Sequence, residues 1–112
     1  MELAPGVIAA VIVSLVLPTA AAAEAPRTGR FVLEKCMAED RAWCLGFVSG
    51  VAATASSLAV DERDRLCLPG WMSTEAQRMT VVDFLRKNPN ALNAPPAYSV
   101  WLALSESYRC KR

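Results

Sequence analysis

The sequence predicts an all-α fold, a small four-helix bundle that is stapled by disulfides and preceded by a signal peptide. Apolar residues recur at helical spacing along the chain, and no segment shows the alternating β-branched pattern that is typical of strands. The chain has 112 residues, of which four are cysteines and none is a histidine. An even number of cysteines behind an apolar leader indicates a disulfide framework in an exported chain.

Residues 1–23 are expected to form a cleaved signal peptide. Residues 7–17 are an almost unbroken apolar run, Pro18 ends it, and the alanines up to Ala23 are typical of a cleavage site. The segment before the run carries Glu2 and no Lys or Arg, which departs from the usual basic start. An uncleaved membrane anchor is the alternative, but 11 apolar residues are fewer than the roughly 17–25 that span a bilayer.

Cleavage after Ala23 would leave a short polar leader at 24–30 and one domain at 31–112, in the periplasm or outside the cell. A domain of this size buries only about 60–65% of the surface that its unfolded chain exposes, so cross-links would matter for its stability. Residues 24–112 carry 12 basic and 10 acidic side chains, which gives a net charge of +2. So small a charge does not predict a nucleic acid or a strongly acidic partner.

The first two helices are predicted over residues 31–37 and 42–60, with Asp40 as a candidate N-cap of the second. Residues 42–60 carry no charge and would be long enough to span a membrane, but glycine, serine and threonine dilute their apolar content. Their apolar side chains follow one helix face, which favours burial in a protein core: Cys44, Phe47, Val48, Val51, Ala55, Leu58 and Ala59.

A second stripe on the same helix consists of the small residues Gly46, Gly50 and Thr54. In a water-soluble protein, such a stripe usually lets the backbone of another helix approach closely. We therefore expect Gly46 and Gly50 to be positions of close helix packing.

The third helix is predicted to begin with a capping box, in which Thr74 is the N-cap and Gln77 is at N3. It is expected to end near Lys87, because Asn88-Pro89 follows. Apolar residues on two adjoining sides of this segment predict its buried face: Ala76, Met79, Val81, Val82, Phe84 and Leu85.

Residues 90–94 are expected to form a loop, with Asn93 as the N-cap of the fourth helix. Pro95 and Pro96 would then lie in the first turn, where a missing N–H costs little. The fourth helix is predicted from an apolar stripe at helical spacing: Ala97, Val100, Trp101, Leu104 and Tyr108.

Four cysteines allow three pairings. Cys36 and Cys44 flank the first predicted turn, so a Cys36–Cys44 disulfide would staple the first helical hairpin. A Cys67–Cys110 disulfide would close the second hairpin if the third and fourth helices are antiparallel. Loop-closure entropy gives about 2.5 kcal/mol for the short loop and about 4 kcal/mol for the long one.

The sequence favours a binding protein over an enzyme. No histidine is present to act as a general base, no C-x-x-C motif occurs, and no serine lies in a G-x-S-x-G or S-x-x-K motif. The cysteine spacings of 8, 23 and 43 do not match paired zinc knuckles. We therefore expect no catalytic residues, no metal and no cofactor.

Several short motifs follow one another in the exported part of the chain: CLGFVSG at 44–50, CLPG at 67–70, VVDFL at 81–85, NP at 88–89 and the closing Cys110. In this order they resemble the Rap/Tai immunity family, over about residues 31–110. The members of that family are small periplasmic all-helical proteins that protect bacteria from type VI secreted cell-wall amidases.

The resemblance implies a signal peptide, disulfides, often a homodimer, and inhibition by covering or plugging the amidase groove. The stretch ALNAP between Asn90 and Pro96 departs from the family, because a more charged and often histidine-containing loop is expected there. No matched motif assigns a residue to contact with the toxin. Gly46, Gly50 and the cysteines are carried over as structural positions.

An inhibitor that acts by binding needs an exposed contact surface, and two loops are candidates. One is the loop at 61–65 together with Trp71 and Met72, and the other lies at 86–94. The residues in them that we expect to contact a partner are Arg63, Arg65, Trp71, Met72, Arg86 and Asn90. Trp71 could instead pack beneath the third helix as a hydrophobic staple, and residues 61–65 could be a solvated turn. A second hypothesis is a periplasmic stress or chaperone-like helical module that exposes apolar surface in acid.

Overall fold

The computed structural model describes residues 27–58 and 61–111, and the predicted signal peptide lies outside them. The described chain contains four α-helices and two short 3₁₀ helices. They are α1 (Gly29–Met37), α2 (Ala42–Ser57), the first 3₁₀ helix (Glu62–Asp64), α3 (Thr74–Lys87), the second 3₁₀ helix (Pro89–Asn93) and α4 (Pro96–Tyr108). The predicted all-α, disulfide-stapled fold is confirmed. No helix in the described ranges combines the length and the hydropathy that crossing a bilayer requires.

The helix starts differ from the predicted caps. Ser73, and not Thr74, is the N-cap of α3, because its hydroxyl accepts a hydrogen bond from the Ala76 N–H at 3.0 Å. At α2 the N-cap is Arg41, whereas the Asp40 carboxylate accepts from the Ala42 N–H at 3.1 Å from one position further out. Neighbouring polar residues compete for the same N–H groups, and sequence alone does not decide between them.

The connections between helices also differ from the predicted ones. The expected loop at 90–94 is largely the second 3₁₀ helix, which begins at Pro89 and ends at Asn93. Asn93 therefore does not cap α4, which is preceded by Pro95. The helix α2 ends at Ser57, three residues before the predicted end.

The core lies between the four helices, and every pair of helices is in contact. Its buried apolar side chains come from all four helices, from the second 3₁₀ helix and from the segment before α3: Val32, Cys36, Cys44, Val48, Ala52, Leu66, Val81, Val82, Leu85, Ala91, Val100, Ala103 and Leu104. The predicted apolar faces of α2, α3 and α4 are mostly buried. Two exceptions are Met79 on α3, with 45% of its surface exposed, and Leu58, with 74% of its surface exposed just beyond the end of α2.

Helix α1 begins at Gly29, inside the segment predicted to be a polar leader. Gly29 is buried, and its N–H donates to the Ala94 carbonyl at 2.9 Å. A Cβ atom at this position would clash with the Ala91 carbonyl oxygen and lie 3.0 Å from the Ser99 Cβ. The absence of a side chain therefore allows the start of α1 to pack directly against the backbone before α4.

Arg78 is a buried charge that ties α3 to α1. Its side chain is 5% exposed, and its Nη1 donates to the Cys36 carbonyl in the last turn of α1 at 2.8 Å. Its Nε and Nη2 donate to the two carboxylate oxygens of Glu75, one turn earlier on α3. Because a buried charge is costly without partners, the Glu75 carboxylate and the Cys36 carbonyl make this position tolerable.

Two disulfides link the helices. Cys36–Cys44 joins α1 to α2, with a Cα–Cα distance of 5.0 Å. Cys67–Cys110 joins the segment before α3 to the segment that follows α4, with a Cα–Cα distance of 4.8 Å. Backbone hydrogen bonds run beside the second disulfide, because the Cys67 N–H donates to the Tyr108 carbonyl and the Cys110 N–H to the Arg65 carbonyl. The two segments thus form one antiparallel bridge, Leu66 with Arg109.

Removing the Cys67–Cys110 disulfide should cost about 4 kcal/mol of unfolding free energy, because it closes a long loop. The double variant Cys67→Ala/Cys110→Ala, compared with the oxidised wild type by urea denaturation, measures this loss. Neither cysteine is buried, so the loss reflects loop closure and not core packing. A change below about 1 kcal/mol would contradict this assignment.

Gly29→Ala should destabilise the protein by about 1–3 kcal/mol, since the added methyl group meets the Ala91 carbonyl. Gly46→Ala is the matched control, because nothing lies within 4 Å of a Cβ at Gly46. The control should be stabilised by up to about 1 kcal/mol through helix propensity. Equal urea midpoints for the two variants would refute the proposed role of Gly29.

Candidate functional site

An apolar groove lies on the surface between α2 and the first half of α4, and we call it the α2–α4 groove. Its volume is about 830 Å³. Helix α2 lines one side, α4 lines the other, and the first 3₁₀ helix closes one end. The residues that shape it most are Gly46, Gly50, Leu58, Asp64, Tyr98 and Trp101.

The groove exists because α2 has two apolar faces, of which only one meets the core. Cys44, Val48 and Ala52 are buried, whereas Gly46 and Gly50 are exposed. Apart from the neighbouring backbone of α2 itself, no heavy atom of the described residues lies within 4 Å of a Cβ placed at either glycine. The prediction that these glycines pack against another helix is therefore wrong within the described chain, since the space beside them is open.

Stacked aromatic rings form the wall on α4. The rings of Tyr98 and Trp101 lie 5.7 Å apart at 17°. The guanidinium of Arg109, the C-cap residue of α4, lies 5.1 Å from the Trp101 ring centroid. The Trp101 indole N–H also donates to the Asp64 carbonyl at 2.9 Å, which fixes the ring and the first 3₁₀ helix relative to each other. Such rings offer a large apolar surface that loses little conformational entropy on binding.

A second aromatic cluster borders α2. Phe47, which lines the groove, stacks on Trp43 with ring centroids 4.8 Å apart, and Trp43 meets the edge of Phe31 at 5.1 Å. The charged groups of Arg27 and Lys35 lie over the Phe31 ring, at 5.2 and 5.6 Å. This row carries apolar surface from α1 across α2 to the groove.

The closed end of the groove is acidic. Asp61 and Asp64 lie there, and none of the described residues that line the groove is basic. The Asp61 carboxylate accepts from the Arg63 N–H at 2.9 Å and lies 3.5 Å from the Arg63 Nε. Within the described ranges Asp64 has no ion-pair partner. The groove therefore suits binding of an apolar surface that carries positive charge.

Metal binding has no support in the described residues, where no group of three or more Cys, Asp or Glu side chains is placed to hold an ion. All four cysteines are consumed by the two disulfides. The properties of the α2–α4 groove that bear on binding are therefore its shape, its apolar area and its charge.

Comparison with known proteins gives one match. The family described as Rap1a immunity proteins matches residues 28–110, which is most of the chain and nearly all of its described part. The chain belongs to the Rap1a immunity protein family. No curated protein and no solved structure shows a significant match. Of the two functions considered from sequence, the family match supports the immunity role.

The residues predicted to contact a partner do not line the α2–α4 groove of this Rap1a family member. Arg63, Arg86 and Asn90 are exposed, on the first 3₁₀ helix, at the end of α3 and in the second 3₁₀ helix. Arg65 is half-buried, and its Nε has no hydrogen-bond partner. These four arginine and asparagine residues are thus spread over separate elements.

The loop before α3 holds the remaining two predicted contacts. Trp71 has 75% of its surface exposed, so the alternative that it packs beneath α3 as a staple is wrong. Met72 is half-buried, and its N–H donates to the Pro69 carbonyl at 3.0 Å across a turn. Trp71 remains a second exposed apolar feature, separate from the groove.

From the sequence, the larger apolar side chains of the groove on α2 and α4 were assigned to the core, whereas Asp61 and Asp64 were placed in a candidate contact loop. Tyr98 was not singled out, although half of its surface is exposed, and Ala97 and Trp101 were placed on the buried stripe of α4. A signal was present in the uncharged outer face of α2, since a solvent-facing helix surface normally carries charges. That surface is a feature of this Rap1a family member that its helical periodicity did not reveal.

The clearest electrostatic perturbation lies away from the groove residues, at Glu75 and Arg78. Hydrogen bonding to Arg78, with further attraction from Arg78 and Arg41, lowers the pKa of Glu75 below its ordinary value of 4.5. The same hydrogen bonds raise the pKa of Arg78. This pair therefore supports the fold and has no part in the groove.

Acid should destabilise this Rap1a family protein through Glu75. The folded pKa lies below the unfolded one, so the unfolded chain binds more protons in that interval. The contribution of Glu75 is complete above its unfolded pKa and is lost as the pH falls through the folded one, below about pH 5.

Thermal melts of wild type and Glu75→Gln across this interval measure the effect. The melting temperature of Glu75→Gln should fall less with decreasing pH than that of the wild type. Glu106→Gln on α4 controls for the loss of one exposed carboxylate. Parallel curves for wild type and Glu75→Gln would contradict the role of this ion pair.

Proposed function

We propose that this protein is an exported immunity protein that binds a secreted cell-wall amidase in the periplasm and blocks it by protein–protein contact. Membership of the immunity family over residues 28–110 is the observation that carries this proposal. The order of the motifs around the cysteines, which resembles the Rap/Tai family, supports a type VI secreted amidase as the target. Inhibition would be stoichiometric and would consist of covering or plugging the substrate groove of the enzyme.

The described surface is suited to binding. It presents the apolar α2–α4 groove, with Tyr98 51% exposed, and separately the exposed Trp71. Aromatic residues of this kind are enriched among the residues that dominate protein–protein affinity. Two disulfides hold the helices that present both features, so little ordering is needed on binding.

The resemblance also supports a homodimer and export by a cleaved leader. We propose cleavage after Ala23, which leaves the polar leader and the helical domain as the mature chain. The two disulfides suit an oxidising compartment, where they would form and persist.

The proposal predicts that a secreted cell-wall amidase is encoded beside this chain's gene, and it is tested with that enzyme. The oxidised mature protein should bind that enzyme with a dissociation constant below about 1 μM and should stop its hydrolysis of peptidoglycan at a stoichiometric ratio. A muramidase, which cleaves the sugar backbone of the same polymer, is the control and should keep its activity. Absence of a complex at about 10 μM would contradict the proposed target.

A further inference from the structure

We propose that the α2–α4 groove is the surface that receives the target, and that its occupant is a convex apolar segment with Lys or Arg beside its apolar residues. This inference rests on the proposed function, since it takes the target of the immunity protein as the partner. It names the surface and the chemistry of the contact, which family membership leaves open.

The form of the groove suits a protein segment. Its volume is about 830 Å³, and Gly46, Gly50, Leu58 and Tyr98 along it are all exposed. Sites for small molecules usually bury most of the ligand surface, which an open groove does not do. An apolar helix or loop laid along such a groove can bury its side chains while the rest of the partner stays outside.

The charge of the groove selects a basic segment. The carboxylates of Asp61 and Asp64 lie at the closed end of an otherwise apolar surface, without a basic residue in the lining. The carboxylate of Asp61 forms an ion pair with Arg63, whereas Asp64 has no ion-pair partner within the described ranges. A Lys or Arg of the occupant would meet this charge at the end of the apolar contact, and an acidic segment would be repelled.

A second copy of the chain fits the groove less well. In a two-fold dimer through this face, two concave surfaces would oppose each other, and no lining residue could offer a cation to Asp64. A head-to-tail contact would leave one groove empty at the end of the assembly unless the copies closed into a ring. A homodimer of the kind that the resemblance implies would therefore use another face.

The groove is held in shape before any partner arrives. The Trp101 indole N–H donates to the Asp64 carbonyl at 2.9 Å, and the Leu66 N–H donates to the Ala55 carbonyl at 3.2 Å. Leu66 is 1% exposed and adjoins the Cys67–Cys110 disulfide. These contacts fix the acidic end to both helices, so the cost of ordering on binding is small.

The main test fills the groove with a larger side chain on α2 itself. Gly50→Leu places a side chain where nothing lies within 4 Å of the Cβ, so the fold should be kept and helix propensity improved. Ala53→Leu adds a leucine at an exposed position of the same helix outside the groove. By titration calorimetry with the neighbouring amidase, Gly50→Leu should lose at least about tenfold in affinity, and Ala53→Leu should stay within about twofold.

The charge of the groove is tested with a second matched pair. Asp64→Lys should weaken the same complex by about tenfold or more, whereas Glu62→Lys, with an equal change in net charge outside the groove lining, should change it by less than about threefold. A loss of affinity in Trp71→Ala, with Gly50→Leu still binding like wild type, would place the contact on the loop before α3. That result would overturn the groove proposal and leave the proposed function intact.

If the wild-type protein does not bind the amidase, the proposed function fails, and the groove is tested on its own with synthetic peptides. A short amphipathic peptide of Leu and Lys, and its counterpart of Leu and Glu, are titrated into the ¹⁵N-labelled protein. The Lys peptide should shift the amide signals of Gly46, Gly50 and Asp64, and the Glu peptide should not. Shifts confined to other surfaces, or equal shifts with both peptides, would overturn the groove proposal.

Discussion

The Cys67–Cys110 disulfide joins the two parts of the chain that meet at the acidic end of the α2–α4 groove. Around it, backbone hydrogen bonds pair residues 65–67 with residues 108–110, and buried Leu66 anchors this segment to α2. Trp101 then holds the first 3₁₀ helix through the Asp64 carbonyl. The position of both groove carboxylates therefore depends on a covalent link between elements that are 43 residues apart.

Helix α2 shows why a small stapled domain can present a binding surface without losing stability. Its inner face supplies Cys44, Val48 and Ala52 to the core, and Cys44 is linked to α1. The outer face can then keep two glycines, although each glycine in a helix interior lowers the stability by about 1 kcal/mol relative to alanine. The core and the disulfides offset this cost, and the outer face remains free for a partner.

Helical periodicity and cysteine position were enough to predict the four helices, and the structure pairs the cysteines at the two hairpins. The cap of α3 was placed one residue too late, because Ser73 and Thr74 offer similar hydroxyls to the same N–H groups. Gly29 and Arg78 were not predicted, since their roles depend on Ala91 and Cys36, far away in sequence. The groove was missed for the same reason, because periodicity identifies an apolar face but not what covers it.

Hydroxyl-radical footprinting of the protein, alone and in complex with the proposed target amidase, would show which surface the target covers, because it reports the accessibility of individual side chains. Leu58 and Tyr98 are exposed in the groove lining, and Trp71 is exposed away from it. The account predicts that complex formation protects Leu58 and Tyr98 while Trp71 keeps its reactivity. Protection of Trp71, with Leu58 and Tyr98 unchanged, would contradict it.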